Sequence, residues 1–178
     1  MNPKQQRRMM YGVQVLFIVY LYILVKIILF KFGTIDPVFL WHQLQQGPHN
    51  LISSLHTGNL IPLATLSDTY DHPTPHNLLN LTGNIALFIP YGLFLVLLSP
   101  HGKSSGSFTG VLLWSFALSA ALEGSQALFY IGTFDVDDLL LNTIGGLLGY
   151  LLLRPVMQLC PSRSTEEKCN AHTQYQGP

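Results

Sequence analysis

Residues 134–154 read FDVDDLLLNTIGGLLGYLLLR, and the reading of this stretch decides the fold. An acidic turn, Asp135-Val136-Asp137-Asp138, opens it, Arg154 closes it, and no charge lies between. Gly145-x-x-x-Gly149, with Gly146 beside it, strips one helical face of side chains. Faces of that kind let helix backbones approach closely inside a bilayer. From Asp138 to about Arg154 the helix is short for a hydrocarbon core of roughly 30 Å. Local thinning of the bilayer, or snorkelling of Arg154, is expected to make up the difference.

Working outward, three more stretches have the length and apolarity of transmembrane helices. One runs from about Met9 to Phe30, broken only by Gln14 and Lys26. The next runs from about Leu78 to Leu98 without a charge, and the third from about Phe108 to Ile131 with one, Glu123. The whole chain is 10% charged, with nine basic and nine acidic residues. Soluble domains carry roughly 25%, and so few charges could not keep a soluble surface wet. A bilayer removes that requirement. The expected fold is therefore all-α: a polytopic membrane helix bundle of about four transmembrane helices. The zero net charge gives no general case for nucleic acid. Cys160 and Cys169 lack the spacing of a zinc site or a disulfide framework. The first apolar run is longer than a signal-peptide core and no small-residue cleavage site follows, so it reads as a retained anchor.

Orientation follows from the basic residues. Lys4, Arg7 and Arg8, then Lys103, then Arg154, Arg163 and Lys168 fall on one side of a four-span topology. The positive-inside rule makes that side the cytoplasm, so both termini are expected inside. Lys26 and Lys31 oppose this mildly, but long side chains near a helix end snorkel. The organisation expected is a cytoplasmic N-terminus over residues 1–8, a membrane domain over 9–158, and a disordered cytoplasmic tail over 159–178. The spans are placed at about 9–30, 78–98, 108–131 and 138–154, with an external segment at about 32–76. Within that segment an interfacial helix is expected around Pro37 to Leu55, with Trp41 near the headgroups. Asn59 to Leu63 is expected to dip shallowly into the protein, and Asp68 to Asn77 to form a surface turn.

The informative feature is where the intramembrane polar groups fall. Asn80 and Asn84 lie in the first turns of span two, Glu123 and Gln126 in the last turns of span three, and Asp138 and Asn142 in the first turns of span four. Alternation of the spans brings all six to within roughly 13 Å of one membrane face at about 1.5 Å per residue. Each pair is spaced i, i+3 or i, i+4 and so shares a helical face, which is expected to point into the bundle. Asn80, Asn84, Gln126 and Asn142 form the expected polar cluster, a type of group that commonly does no more than bond helices together. Glu123 differs, because a carboxylate at that depth is expensive and is by default a functional candidate. It is expected either to pair with Lys26 or to carry a proton. Asp135 and Asp138 join it as candidate acid, base or hard-ligand groups, although at least one acid of the turn should cap the following helix. His42, His49, His56, His72 and His76 lie in or beside the external segment; of these only His72 and His76 have H-x-x-x-H spacing, and they straddle two prolines, so no metal and no other cofactor is expected. Ser53, Ser54 and Ser67 have no nucleophile-elbow context.

Four segments together resemble the VanZ-like family of bacterial membrane proteins. They are Asn59 to Pro62, NLTGNIALFIPYG from Asn80 to Gly92, Glu123 to Gln126, and FDVDDLLLNTIGGLLGY from Phe134 to Tyr150. The resemblance spans roughly residues 10–155, and falls on Asn80, Asn84, Pro90, Gly92, Glu123, Gln126, Asp135, Asp138, Asn142 and Gly145. Where many relatives carry an arginine before the acidic turn, this chain has Gly132-Thr133. The resemblance implies a multi-pass protein of the bacterial cell membrane with four or five helices. For the founding type it implies reduced susceptibility to the glycopeptide antibiotic teicoplanin. The function expected is an accessory protein acting at the outer membrane surface without classical catalysis. Its expected partners are membrane lipid, teicoplanin or a lipid-linked cell-wall precursor, and a further copy of the chain, with no nucleic acid. Two alternatives stand beside it: an intramembrane enzyme on a lipid-linked or envelope substrate using Glu123 with Asp135 and Asp138, and a structural partner in an envelope complex.

Overall fold

The computed structural model describes residues 2–30, 36–99 and 106–159. The sequence-based tail, and the basic residues Lys103, Arg163 and Lys168 used for orientation, lie outside these. Seven helices are described: α1 (Pro3–Phe30), α2 (Pro37–Gln45), α3 (Gly47–Thr57), α4 (Ala64–Asp71), α5 (Pro75–Leu98), α6 (Phe108–Leu128) and α7 (Val136–Leu159). Four of them, α1, α5, α6 and α7, are long and apolar enough to cross a membrane.

Helix boundaries follow local chemistry. Asp36 caps α2 through its carboxylate, which accepts the N–H groups of Val38 and Phe39 at 2.9 and 3.2 Å. Pro37 follows at N1, where its missing N–H costs nothing. Thr74 caps α5 by accepting from the Asn77 N–H at 3.1 Å, again with proline at N1. Ser107 does the same for α6 through the Gly110 N–H at 3.1 Å. The C-terminus of α6 is a Schellman motif, which ends the helix short of Ile131. Tyr130 takes the left-handed conformation (φ 51°), Ile131 N–H bonds the Gln126 carbonyl, and Tyr130 N–H bonds that of Ala127.

Half of the α7 span is buried inside the protein, against 6% for α1. The most continuous hydrophobic helix is thus peripheral, and the helix with the glycine motif is central. The α5–α7 contact is backbone against backbone. A Cβ added at Gly145 would collide with the Ile85 carbonyl, one at Gly149 with that of Ile89, and one at Gly92 with that of Gly146.

One apolar cluster, Leu24, Phe88, Tyr91 and Leu122, joins α1, α5 and α6. Phe17, Tyr20 and Phe94 extend it with tilted rings 5.3–5.5 Å apart. A second cluster, Val96, Val111 and Tyr150, fills the end where α5 finishes and α6 begins. The Tyr20 hydroxyl donates to the Leu87 carbonyl, a polar tie from α1 to the bundle. Tyr20→Phe is expected to weaken the docking of α1 by about 1 kcal/mol, the usual worth of one hydrogen bond. Unfolding in mixed detergent micelles measures it.

The α2–α4 segment departs from expectation in two ways. The single helix expected over Pro37 to Leu55 is two, broken at Gln46, because Pro48 disfavours helical geometry just before it and offers no N–H. The buried face of α3 is Gly47, Asn50 and Ser54, while Leu51, Ile52 and Leu55 point outward. That stripe seats α3 on the end of α6: the Asn50 amide donates to the Leu128 carbonyl at 3.4 Å and the Ser54 hydroxyl to that of Ala127 at 3.3 Å. Leu60, Ile61 and Leu63 do not dip into the protein but are more than half exposed. Only Asn59 and the nearby backbone are held inward, and α4 occupies the first half of the expected surface turn.

Candidate functional site

The N-termini of α5 and α7 and the C-terminus of α6 meet at one end of the bundle, beside the last turns of α1. Between them lies a pocket of about 450 Å³. Its polar lining includes Asn80, Asn84, Glu123, Gln126, Asp135 and Asp138, with His76 and Thr133. Its apolar lining comes from Ile27 and Ile28 of α1 and from Leu79 and Leu87 of α5. Six of the seven sequence candidates therefore share one cavity. The seventh, Asn142, lies one turn deeper, where its amide donates to the Ser119 hydroxyl at 2.9 Å.

The three carboxylates that line the pocket are bound very differently. Asp135 is committed to structure. Its Oδ1 accepts the Asp137 N–H at 2.8 Å, which caps α7, and the Asn59 amide at 3.0 Å. Its Oδ2 accepts from the Thr65 hydroxyl at 3.3 Å. Asp138 receives the amides of Asn84 at 2.5 Å and Asn80 at 3.5 Å, both on the same oxygen. Glu123 is 2% exposed, and its Oε2 accepts the backbone N–H of Asp135 at 3.2 Å. Its other oxygen receives no donor among the described residues. The expected pairing with Lys26 is not formed, and no lysine or arginine among the described residues pairs with Glu123. The physical reason is rotational: α1 turns Ile27 and Ile28 to the pocket, and the neighbouring residue is carried about 100° around the helix.

Gln126 donates to the Ile28 carbonyl at 2.9 Å, tying α1 to α6 across the pocket wall. Below Glu123, Ser119 and Ser115 continue the same face of α6 at i−4 and i−8. Both are fully buried, and the Ser115 hydroxyl and the Asn142 Oδ1 have no partner among the described residues. This buried file was legible as a spacing of four in the sequence and was missed. Also missed was Asp137, which does not line the pocket. It is fully buried and accepts the N–H groups of Leu63 at 2.5 Å and Thr65 at 2.7 Å, and the Asn59 amide at 3.2 Å.

Among the described residues no group of three or more His, Cys, Asp or Glu could hold a metal ion. His72 pairs with Asp68 at 3.6 Å on the exposed surface, and of the histidines among the described residues only His76 reaches the pocket. The site is an acceptor-rich cavity with apolar walls.

Four apolar helices closed around such a cavity define a polytopic helical membrane protein. The chain belongs to the VanZ/LLP1 family, whose model matches residues 17–158. It is similar to the protein VanZ of Enterococcus faecium, with 37% identity over 76 residues. That match takes in 43% of this chain and 45% of the relative, less than half of either. No solved structure matches the chain.

Proposed function

We propose that this chain is a bacterial cell-membrane accessory protein that lowers susceptibility to teicoplanin from the outer membrane surface. Family membership and the likeness to VanZ support the class. The observation that carries the reading is the pocket itself, which sets apolar walls beside a buried carboxylate at one end of the bundle. With both termini cytoplasmic, that end faces outward, where an acylated glycopeptide partitions near its cell-wall precursor target. Binding the drug, a lipid or a precursor there lowers the local occupancy of that target.

Expression in a susceptible host is expected to raise the inhibitory concentration of teicoplanin several-fold and that of vancomycin, which lacks the acyl chain, much less. Equal protection against both would sink the lipid-surface reading. A second reading, an intramembrane enzyme on a lipid-linked substrate, is favoured by the undonated oxygen of Glu123 beside Asp138. Full protection by a normally expressed Glu123→Gln variant would remove its main residue. Loss of expression in that variant would favour a structural partner role instead.

A further inference from the structure

The pocket's carboxylates, Glu123, Asp135 and Asp138, make its formal charge one-sided. Both asparagine amides converge on one oxygen of Asp138, which leaves its Oδ2 and the two amide carbonyls without donors among the described residues. The Gln126 amide gives one N–H to the Ile28 carbonyl, and its Oε1 receives no donor among the described residues. Glu123, 2% exposed and lining the cavity, keeps one carboxylate oxygen without a donor. Among the described residues no lysine or arginine lines the cavity. These acceptors face an open cavity, and two carboxylates there, one of them on a residue 2% exposed, favour a donor-bearing, positively charged group. The walls from α1 and α5 are apolar, so the same ligand carries an alkyl portion.

We propose that the pocket binds the protonated amine of an amphiphile, with the ammonium group donating to Glu123 and Asp138 and the alkyl part lying between α1 and α5. Gly83 supports the placement. It lines the cavity, and a Cβ built there meets nothing within 4 Å, so α5 presents a notch on its pocket face. An ammonium has three donors and no acceptor, which complements this acceptor set. The inference uses the pocket of the proposed function but not its drug. Failure of amine binding leaves the susceptibility result standing, and unchanged susceptibility leaves amine binding measurable.

The test is calorimetric titration of the full chain in maltoside micelles with decylamine, and with decanol as the uncharged comparison. Saturable binding of decylamine at one per chain is expected, with decanol weaker by roughly tenfold or more. Glu123→Gln and Asp138→Asn are each expected to lose roughly tenfold or more in affinity for the amine, with Asp68→Asn on the exposed surface unchanged. Gly83→Leu fills the notch from a position where an added Cβ meets nothing within 4 Å, so it is expected to block binding while the bundle stays folded. Equal affinity for amine and alcohol, absence of saturable binding, or unchanged affinity in Gly83→Leu and both carboxylate variants would each overturn the proposal.

Discussion

Asp137→Ala is expected to release residues 59–71, with α4, from the bundle at a cost of about 3 kcal/mol or more. The carboxylate is fully buried and has no cation partner among the described residues, so three N–H donors hold it: the backbone amides of Leu63 and Thr65 and the side chain of Asn59. Hydrogen bonds to charged groups are worth about 1.5–3 kcal/mol each, and alanine leaves the two backbone N–H groups without an acceptor, while the Asn59 amide keeps Asp135 and Thr65. The bond from Leu63 has a further role. Leu63 sits at φ 68°, a left-handed conformation that costs a non-glycine residue on the order of 1 kcal/mol. Its N–H is aimed at Asp137 by that conformation, and Thr65 at the start of α4 is capped by the same carboxylate. Hydrogen exchange at Leu63 and Thr65 should accelerate in Asp137→Ala while exchange in α5 and α6 is retained. Asp68→Ala, on the exposed surface, should leave both unchanged. Leu63→Gly added to Asp137→Ala removes the strain but restores no acceptor, so exchange should stay fast. Protection of Leu63 and Thr65 at the normal level in Asp137→Ala would show that the parallel bridge between Asn59 and Asp135, not the carboxylate, holds the segment.

Asp137 also shows where the sequence stops being informative. The acidic turn presents three aspartates within four positions, and each could cap α7 equally well on local grounds. Their division of labour is set by residues 59–65, more than seventy positions away: Asp135 caps, Asp137 latches and Asp138 faces the cavity. The pocket was legible because it needs only helix alternation and a spacing of three or four. Asn142 was misplaced by the same rule, since four residues also carry it about 6 Å deeper along α7. The partner of Glu123 was not legible because α1 is apolar nearly all round, so nothing in its pattern says which face meets the bundle. The face by which α3 seats on α6 was not legible for a related reason. In a soluble helix the apolar side packs inward. Here Gly47, Asn50 and Ser54 meet α6, and Leu51 and Ile52 are left exposed.

The largest loss is expected from the smallest change in side chain, Gly145→Ala combined with Gly149→Ala. The new methyl groups collide with the carbonyls of Ile85 and Ile89 on α5, and the one at 149 also lies 2.9 Å from the Leu93 nitrogen. These are backbone atoms of a helix and cannot rotate aside as a side chain could. The two helices must separate, and separation opens a gap along the whole seam. Overpacking costs about 1–3 kcal/mol per site, and two sites on one seam should exceed 3 kcal/mol together. Without a hydrophobic drive between helices in lipid, close packing is the main attraction that is lost. The control is another glycine in a long helix. Gly124 of α6 has nothing within 4 Å of an added Cβ, so Gly124→Ala should hold or gain stability, by up to about 1 kcal/mol from helix propensity. Unfolding by sodium dodecyl sulfate in mixed micelles compares the variants directly. A stable double variant would mean that α5 and α7 are not held by backbone contact. Equal loss from Gly124→Ala would mean that glycine content, not close approach, is what the bundle requires.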